Sequence, residues 1–112
     1  MQDYTQDLGG GAELFVLNSG RMREKDECLE ILEPDGIGIG SVQYNWFLDQ
    51  IESSTAKWKI VMFYHPFVGS SSEGELLPEM DWGFGSYGVD LILNGGQQVN
   101  EHLFKDKVHI VN

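Results

Sequence analysis

The stretch Trp58–Tyr64, WKIVMFY, is a short and nearly all-apolar run. A run of this kind is typical of a strand in a sheet whose two faces are both covered. His65 and Pro66 follow it directly, and proline ends a strand because it has no N–H to give to the ladder. The sequence therefore predicts a buried strand over residues 58–64.

The segment upstream of this strand predicts a further strand and a helix. Glu13–Asn18 is apolar and bounded by glycines, as a buried strand would be, and residues 19–40 form a long charged and glycine-rich connection. Ser41 then suits a helix N-cap. The apolar residues that follow it recur at helical spacing, namely Tyr44, Phe47, Leu48 and Ile51. We expect one amphipathic helix that ends near Ser53.

Downstream, the pattern predicts a loop over residues 69–75 and a weak helical segment from Pro78 to Tyr87. Val89–Asn94 is a third buried strand, and Val99–Phe104 and Val108–Val111 form a hairpin across residues 105–107. Strands alternating with helices predict an α/β fold with parallel strands.

Composition limits the class of protein. A chain of 112 residues with 41% apolar content is long enough for one domain, which we place over residues 1–112 with residues 1–12 as a flexible lead. The net charge of −11 argues against nucleic acid and anionic membranes as partners. The N-terminus has no signal-peptide pattern, and no apolar run reaches the ~20 residues of a membrane span. We expect a soluble protein, and the sequence leaves its compartment open.

Several polar residues are candidates for a functional site. His65 stands at the carboxyl end of a predicted strand, where open α/β sheets place their sites, although a structural role is the commoner one for a lone histidine. His102 and His109 fall on opposite faces if Phe104 pairs with Val108, which argues against a shared metal. Cys28 is the single cysteine and lies in a charged run, as expected of a structural or surface thiol rather than a nucleophile.

Two glycine- and serine-rich stretches resemble catalytic motifs only superficially. Gly36–Ser41 precedes the helix, but Val42 stands where a phosphate-binding loop has lysine. Ser70–Ser72 lacks the strand–elbow–helix context of a nucleophilic serine, and no GxSxG motif occurs in the chain. We interpret both stretches as loops.

Longer stretches resemble the C-terminal half of calcineurin-like metallophosphoesterases, in the branch of purple acid phosphatases and alkaline phosphodiesterases. They are AKWKIVMFYHPFVGSSSEGE (56–75) and PEMDWGFGSYGVDLILNGGQQVNEH (78–102). Gln43–Phe47 resembles the family's Gln-x-x-Trp-Leu helix, and His65 falls on a metal-ligand histidine. Tyr87–His102 resembles the family's YGVDLVLSGHDHNYER. The resemblance covers residues 13–112 and implies part of a four-layer αββα sandwich.

The departures from the family pattern concern its chemistry. Such enzymes hold two metal ions, but the family's DxH, GD and GNH[DE] motifs do not occur in this chain. The family's GHxH ligands fall on Gly96 and Gln98, and Glu73 takes the place of a catalytic histidine. Only His65 remains of the expected metal ligands. Glycine has no ligand atom and a glutamine amide is a poor replacement for imidazole, so the isolated chain is expected to bind no cofactor and to lack catalysis.

Two interpretations of function follow from the resemblance. The preferred one is a degenerate metallophosphoesterase-like module with a structural, assembly or binding role, in which a homo-oligomer or a second chain covers the exposed sheet. The alternative is a metal-dependent phosphoesterase in which a partner chain supplies the missing ligands around Zn, Fe, Mn or Ca. In either case Gln98 and Glu73 are binding-site candidates and His65 is the metal-ligand candidate. A third possibility is a small acidic α/β binding protein of unrelated ancestry.

Overall fold

A computed structural model describes residues 4–19, 23–25, 28–30, 38–64, 67, 78–95 and 101–112. These residues form eight strands, one α-helix and two short 3-10 turns, at Pro78–Met80 and Phe84–Tyr87. The strands and the helix are β1 (Tyr4–Gly9), β2 (Ala12–Val16), β3 (Arg23–Lys25), β4 (Cys28–Glu30), α1 (Val42–Ser53), β5 (Trp58–Phe63), β6 (Leu91–Asn94), β7 (His102–Lys105) and β8 (Val108–Val111).

The main sheet has six strands in the order β1-β2-β5-β6-β8-β7. Strands β2, β5, β6 and β8 run parallel to one another, while β1 and β7 pair antiparallel with β2 and β8 at the two edges. The fold is therefore mixed α/β, and the three strands predicted at Glu13, Trp58 and Val89 form its centre. Their apolar composition suits these positions, since each has a hydrogen-bonded neighbour on both sides.

Two segments differ from the sequence prediction. The expected flexible lead over residues 1–12 instead contains β1, which forms a hairpin with β2 through the positive-φ residues Gly9, Gly10 and Gly11. Part of the predicted connection over residues 19–40 contains β3 and β4, which pair as a separate two-stranded sheet. Strand β1 is mainly polar, and β3 and β4 have only three residues each, so hydrophobic periodicity gave no signal for them.

Helix α1 agrees with the prediction in position and in capping. The Ser41 hydroxyl accepts a hydrogen bond from the Tyr44 N–H at 3.2 Å, which satisfies one of the free N–H groups of the first turn. Phe47 and Ile51 are buried, while Val42 on another side is 65% exposed. The helix thus packs one stripe on the sheet, as its spacing indicates.

One face of the main sheet, called the first face, forms the hydrophobic core. Its central residues are Phe15, Val61, Ile92 and Ile110, all at most 1% exposed. Phe47 of α1 packs edge-on against Phe15 with ring centroids 5.9 Å apart, and against Phe84 of the second 3-10 turn at 5.6 Å. The helix and both turns therefore lie on this face.

The opposite face, called the second face, consists of two rows of side chains that run across all six strands. Alternation along the strands and the pairing register define these rows. They are Tyr4, Val16, Met62, Leu93, Val111 and His102, and Gln6, Leu14, Ile60, Leu91, His109 and Phe104. Within the described residues no helix packs on this face, although strand composition predicted cover on both sides.

Candidate functional site

The site residues predicted from the sequence, His65, Glu73 and Gln98, lie outside the described residues, as does Gly96. The backbone of Cys28 is described as part of β4, and its side chain lies outside the description. The structure therefore neither groups nor separates the metal-ligand and binding candidates. What it does describe is the sheet edge at which they were expected.

That edge is formed by the carboxyl ends of the parallel strands, where α/β sheets usually bind ligands. Asn94 ends β6 there, and its Nδ2 donates to the Phe63 carbonyl at 3.0 Å. Its Oδ1 is buried and has no hydrogen-bond partner among the residues that the structure describes, which is an uncommon condition for a buried amide oxygen. Asn94 is thus fixed in orientation and keeps an acceptor at the sheet edge.

A depression of about 250 Å³ opens beside Asn94. Its lining is mostly apolar, with the Asn94 amide and the Tyr64 hydroxyl as its polar side-chain groups. The lining residues are Val16, Leu17, Met62, Phe63, Tyr64, Leu93, Asn94 and Gly95. This surface suits contact with an apolar group, because the residues that line it offer no nucleophile, carboxylate or imidazole.

Gln43 fixes the chain where it leaves β2. The Asn18 N–H donates to Gln43 Oε1 at 2.6 Å, and Gln43 Nε2 donates to the Asn18 carbonyl at 2.9 Å. Gln43 is fully buried on α1, so these bonds replace the water that its amide loses. The amide therefore acts as a clamp between α1 and the carboxyl end of β2. The sequence singled out Gln43 only as part of the helix pattern of the family that the chain resembles, and did not predict its contact with Asn18.

His102 and His109 lie together, contrary to the prediction that they face opposite sides. Phe104 pairs with His109 and Lys105 with Val108, so the β7–β8 loop has two residues rather than three. This one-residue change of register moves His109 to the face of His102. His102 Nε2 and His109 Nδ1 are 2.8 Å apart in a hydrogen bond, and both side chains are exposed.

Two further polar pairs hold the first face together. The hydroxyls of Tyr44 and Tyr87 are 2.7 Å apart and link α1 to the second 3-10 turn. The hydrogen bond with Tyr44, together with partial burial, raises the pKa of Tyr87 above its usual range. Lys105 donates to Asp81 at 2.7 Å, and this hydrogen bond raises the pKa of the Lys105 ammonium.

The second face is free of formal charge, which the sequence analysis missed. None of its twelve row positions is Asp, Glu, Lys or Arg, although such residues make up 22% of the chain. The charged residues of the strands fall on the first-face side, for example Glu13 beside Lys59, and Lys105. The alternation was visible in the sequence, but only the register shows that the uncharged positions form one surface.

Within the described residues, no group of three or more His, Cys, Asp or Glu side chains converges as a metal site would require. No helix among these residues is long and apolar enough to cross a membrane. The described fold and surface define a mixed α/β protein whose sheet has one helix-covered face and one uncharged face. The sequence matches no protein-family model and no curated protein.

Proposed function

We propose that this chain is a non-catalytic assembly module of metallophosphoesterase-like ancestry. In this proposal two copies pack through their second faces, so that helix, sheet, sheet and helix layers form the four-layer αββα sandwich. The observation that carries the proposal is the second face itself, with twelve row positions on six strands and no formal charge.

The distribution of charge supports a buried role for this face. A chain with a net charge of −11 has enough charged residues to place some on every solvent-facing surface. Charged residues are depleted at the centres of interfaces because each must lose its hydration there. Their absence from the rows of the second face is therefore the composition expected of an interface.

The exposed apolar side chains of this face also support its role as an interface. Phe104 is 65% exposed, Tyr4 is 46% exposed and Val111 is 39% exposed, and all three lie on the second face. Burying such side chains contributes about 25 cal/mol for each square ångström removed from water. They lie at both edges of the face, Tyr4 on β1 and Val111 and Phe104 on β8 and β7, so a partner that spans the face would cover all three.

The dimensions of the face are sufficient for a specific contact. Six strands spaced about 4.8 Å apart and about five residues long cover roughly 500 Å² of sheet. Two such faces together bury on the order of 1,000 Å², which is the lower limit for a specific interface. A second copy is the chosen occupant because an uncharged face avoids direct repulsion between two acidic chains. Their charges then remain at the outside, separated by both sheets.

Sedimentation velocity at micromolar concentration tests this proposal. The wild-type chain is expected at twice its monomer mass of 12.6 kDa, with more dimer at higher salt because salt screens repulsion between acidic copies. Ile60→Lys and Leu93→Lys place a charge in the middle of the second face and are expected to give folded monomers. Val42→Lys is the matched control, since Val42 is apolar and 65% exposed on α1, and this variant should remain dimeric.

Circular dichroism of each variant distinguishes a folded monomer from a chain that has lost its dimer because it no longer folds. A compact wild-type monomer would overturn the proposal without the need for any variant. Stoichiometric bound metal, with aryl-phosphate hydrolysis that disappears in His65→Ala, would replace it with the metal-dependent phosphoesterase interpretation. In that case the missing ligands come from another chain.

A further inference from the structure

We infer that His102 and His109 form a two-histidine site for a divalent transition-metal ion that prefers imidazole ligands, such as Ni²⁺ or Cu²⁺. The site lies on the β7–β8 hairpin at the edge of the second face, and it uses neither of the sequence candidates His65 and Gln98. Both histidines belong to the rows that the proposed dimer would cover, so the site is one of the monomer.

The hairpin register places the two imidazoles as diagonal neighbours across a strand pair. His102 pairs with Val111 and Phe104 pairs with His109, so the two histidines share one face two residues apart in register. Their ring centroids are 5.0 Å apart, and the ring planes differ by 36°. The centroids of the Phe104 and His109 rings are 4.8 Å apart. Backbone pairing thus fixes both Cα positions before any ion arrives.

The separation of the two nitrogens lets both reach one ion. His102 Nε2 and His109 Nδ1 are 2.8 Å apart in a hydrogen bond. At a metal–nitrogen distance of about 2.0–2.1 Å, two nitrogens bound to one ion are about 2.9 Å apart at 90° and about 3.3 Å apart at a tetrahedral angle, so a small turn of the rings reaches either geometry. Cu²⁺ and Ni²⁺ bind imidazole strongly within the divalent series and are therefore the ions chosen.

The surroundings favour metals that prefer nitrogen ligands. The two rows of the second face carry no carboxylate, so the described site offers imidazole and water but none of the oxygen anions that Mg²⁺ and Ca²⁺ require. Both histidines are exposed in the single chain, which leaves the remaining coordination positions open to water in the monomer.

Binding of the ion replaces the hydrogen bond between the two rings with two metal–nitrogen bonds. The ion takes the place of the hydrogen that the two rings share, and the ring that donated it carries a hydrogen on its other nitrogen instead. Each ring turns about its Cβ–Cγ bond so that both lone pairs meet at the ion. Neutral imidazoles therefore bind without a net release of protons.

Isothermal titration of the full chain with Ni²⁺ at neutral pH tests the inference, with Mg²⁺ as the control for general attraction of cations to an acidic protein. We expect saturable binding of one Ni²⁺ per chain and no comparable Mg²⁺ heat. His102→Asn and His109→Asn should each abolish saturable Ni²⁺ binding. Asparagine keeps a polar amide on the exposed strand positions, and circular dichroism verifies that the variants fold.

Gln6→Asn is the control for a polar substitution on the second face, because Gln6 is exposed on the opposite edge strand β1. This variant is expected to bind Ni²⁺ like the wild type. His65→Asn separates the histidine pair from the metal-ligand candidate of the sequence. Absence of saturable binding to both the wild type and the Ile60→Lys monomer, or binding lost in His65→Asn and kept in His102→Asn, would overturn the inference. Sedimentation of the same samples reports the dimer separately, so that failure of one proposal is not mistaken for failure of the other.

Discussion

Gly85 lies directly against the backbone carbonyl of Asp106, so the second 3-10 turn packs on the loop of the β7–β8 hairpin. A Cβ added to Gly85 would overlap the Asp106 carbonyl oxygen and would lie 3.3 Å from Cγ2 of Val108. Glycine is required at this position because the two backbones touch, and not because of its backbone dihedral angles.

Replacing Gly85 with alanine is therefore expected to destabilise the fold. The added methyl must push the hairpin away from the turn, at a cost of about 1–3 kcal/mol in the free energy of unfolding. Urea denaturation measures this loss. Gly38→Ala is the control, since a Cβ there meets no atom within 4 Å. Equal stability of the two variants would show that the Gly85 contact is not tight in solution.

The hairpin loop itself offers a stabilising change. Asp106 and Lys107 have φ angles of 53° and 70°, the left-handed pair that a two-residue type I′ turn requires. The double substitution Asp106→Asn and Lys107→Gly introduces the residues that favour these angles. We expect a gain of a few tenths to about 1 kcal/mol, since glycine relieves strain but loses more entropy on folding.

Thermal denaturation of the double variant measures the gain. Lys57→Gly serves as its control, because Lys57 is exposed and does not have a positive φ angle. That variant should show no gain. A destabilised double variant would contradict the two-residue register on which the histidine pair also depends.

The clamp between Gln43 and Asn18 gives a third prediction. Gln43→Glu keeps the shape of the side chain but removes the N–H donor to the Asn18 carbonyl and buries a carboxylate. We expect a loss of about 2–4 kcal/mol in the free energy of unfolding at pH 7, because the charge has no water around it. Gln50→Glu, on a less buried part of the same helix, should change stability by under about 0.5 kcal/mol.

Chemical denaturation at two pH values separates the two parts of this effect. Acidification protonates the buried carboxylate and should restore part of the stability of Gln43→Glu relative to the wild type. Identical losses at both pH values would mean that the lost donor, rather than the charge, dominates.

The Tyr44–Tyr87 hydrogen bond predicts a loss of stability in alkaline solution. The raised pKa of Tyr87 means that the folded state holds this proton more tightly than the unfolded state does. The stabilisation that comes from this difference in pKa is therefore fully present below pH 10.0, the pKa of tyrosine in the unfolded state. It is lost as the pH rises through the raised pKa of Tyr87 in the folded state. Between pH 9 and pH 11, the melting temperature of the wild type should fall by more than that of Tyr87→Phe.

Tyr4→Phe is the matched control for this comparison, since Tyr4 is 46% exposed. It should follow the wild-type pH profile, because the other titrating lysines and tyrosines are common to all three proteins. If Tyr87→Phe shows the same alkaline loss as the wild type, the two hydroxyls do not share a hydrogen bond in solution.

The sequence did not predict that His102 and His109 lie on the same face of the sheet. Both strands and the loop between them were predicted, but a three-residue loop was expected where the structure has two residues. Since side chains alternate with period two, that single residue decides whether His102 and His109 face apart or together. No local pattern fixed the choice, because Lys107 stands where a type I′ turn that begins with Asp usually has glycine.

The sequence by itself determined α1, its Ser41 cap and the central strands, since each depends on local spacing or on continuous apolar runs. Only the tertiary structure decided the β1–β2 hairpin, the contact of Gly85 with Asp106 and the uncharged second face. These features depend on which residues of distant segments lie opposite one another. Pairing register is set by long-range hydrogen bonds and by the burial of the first face, so the strands must come together before the second face exists.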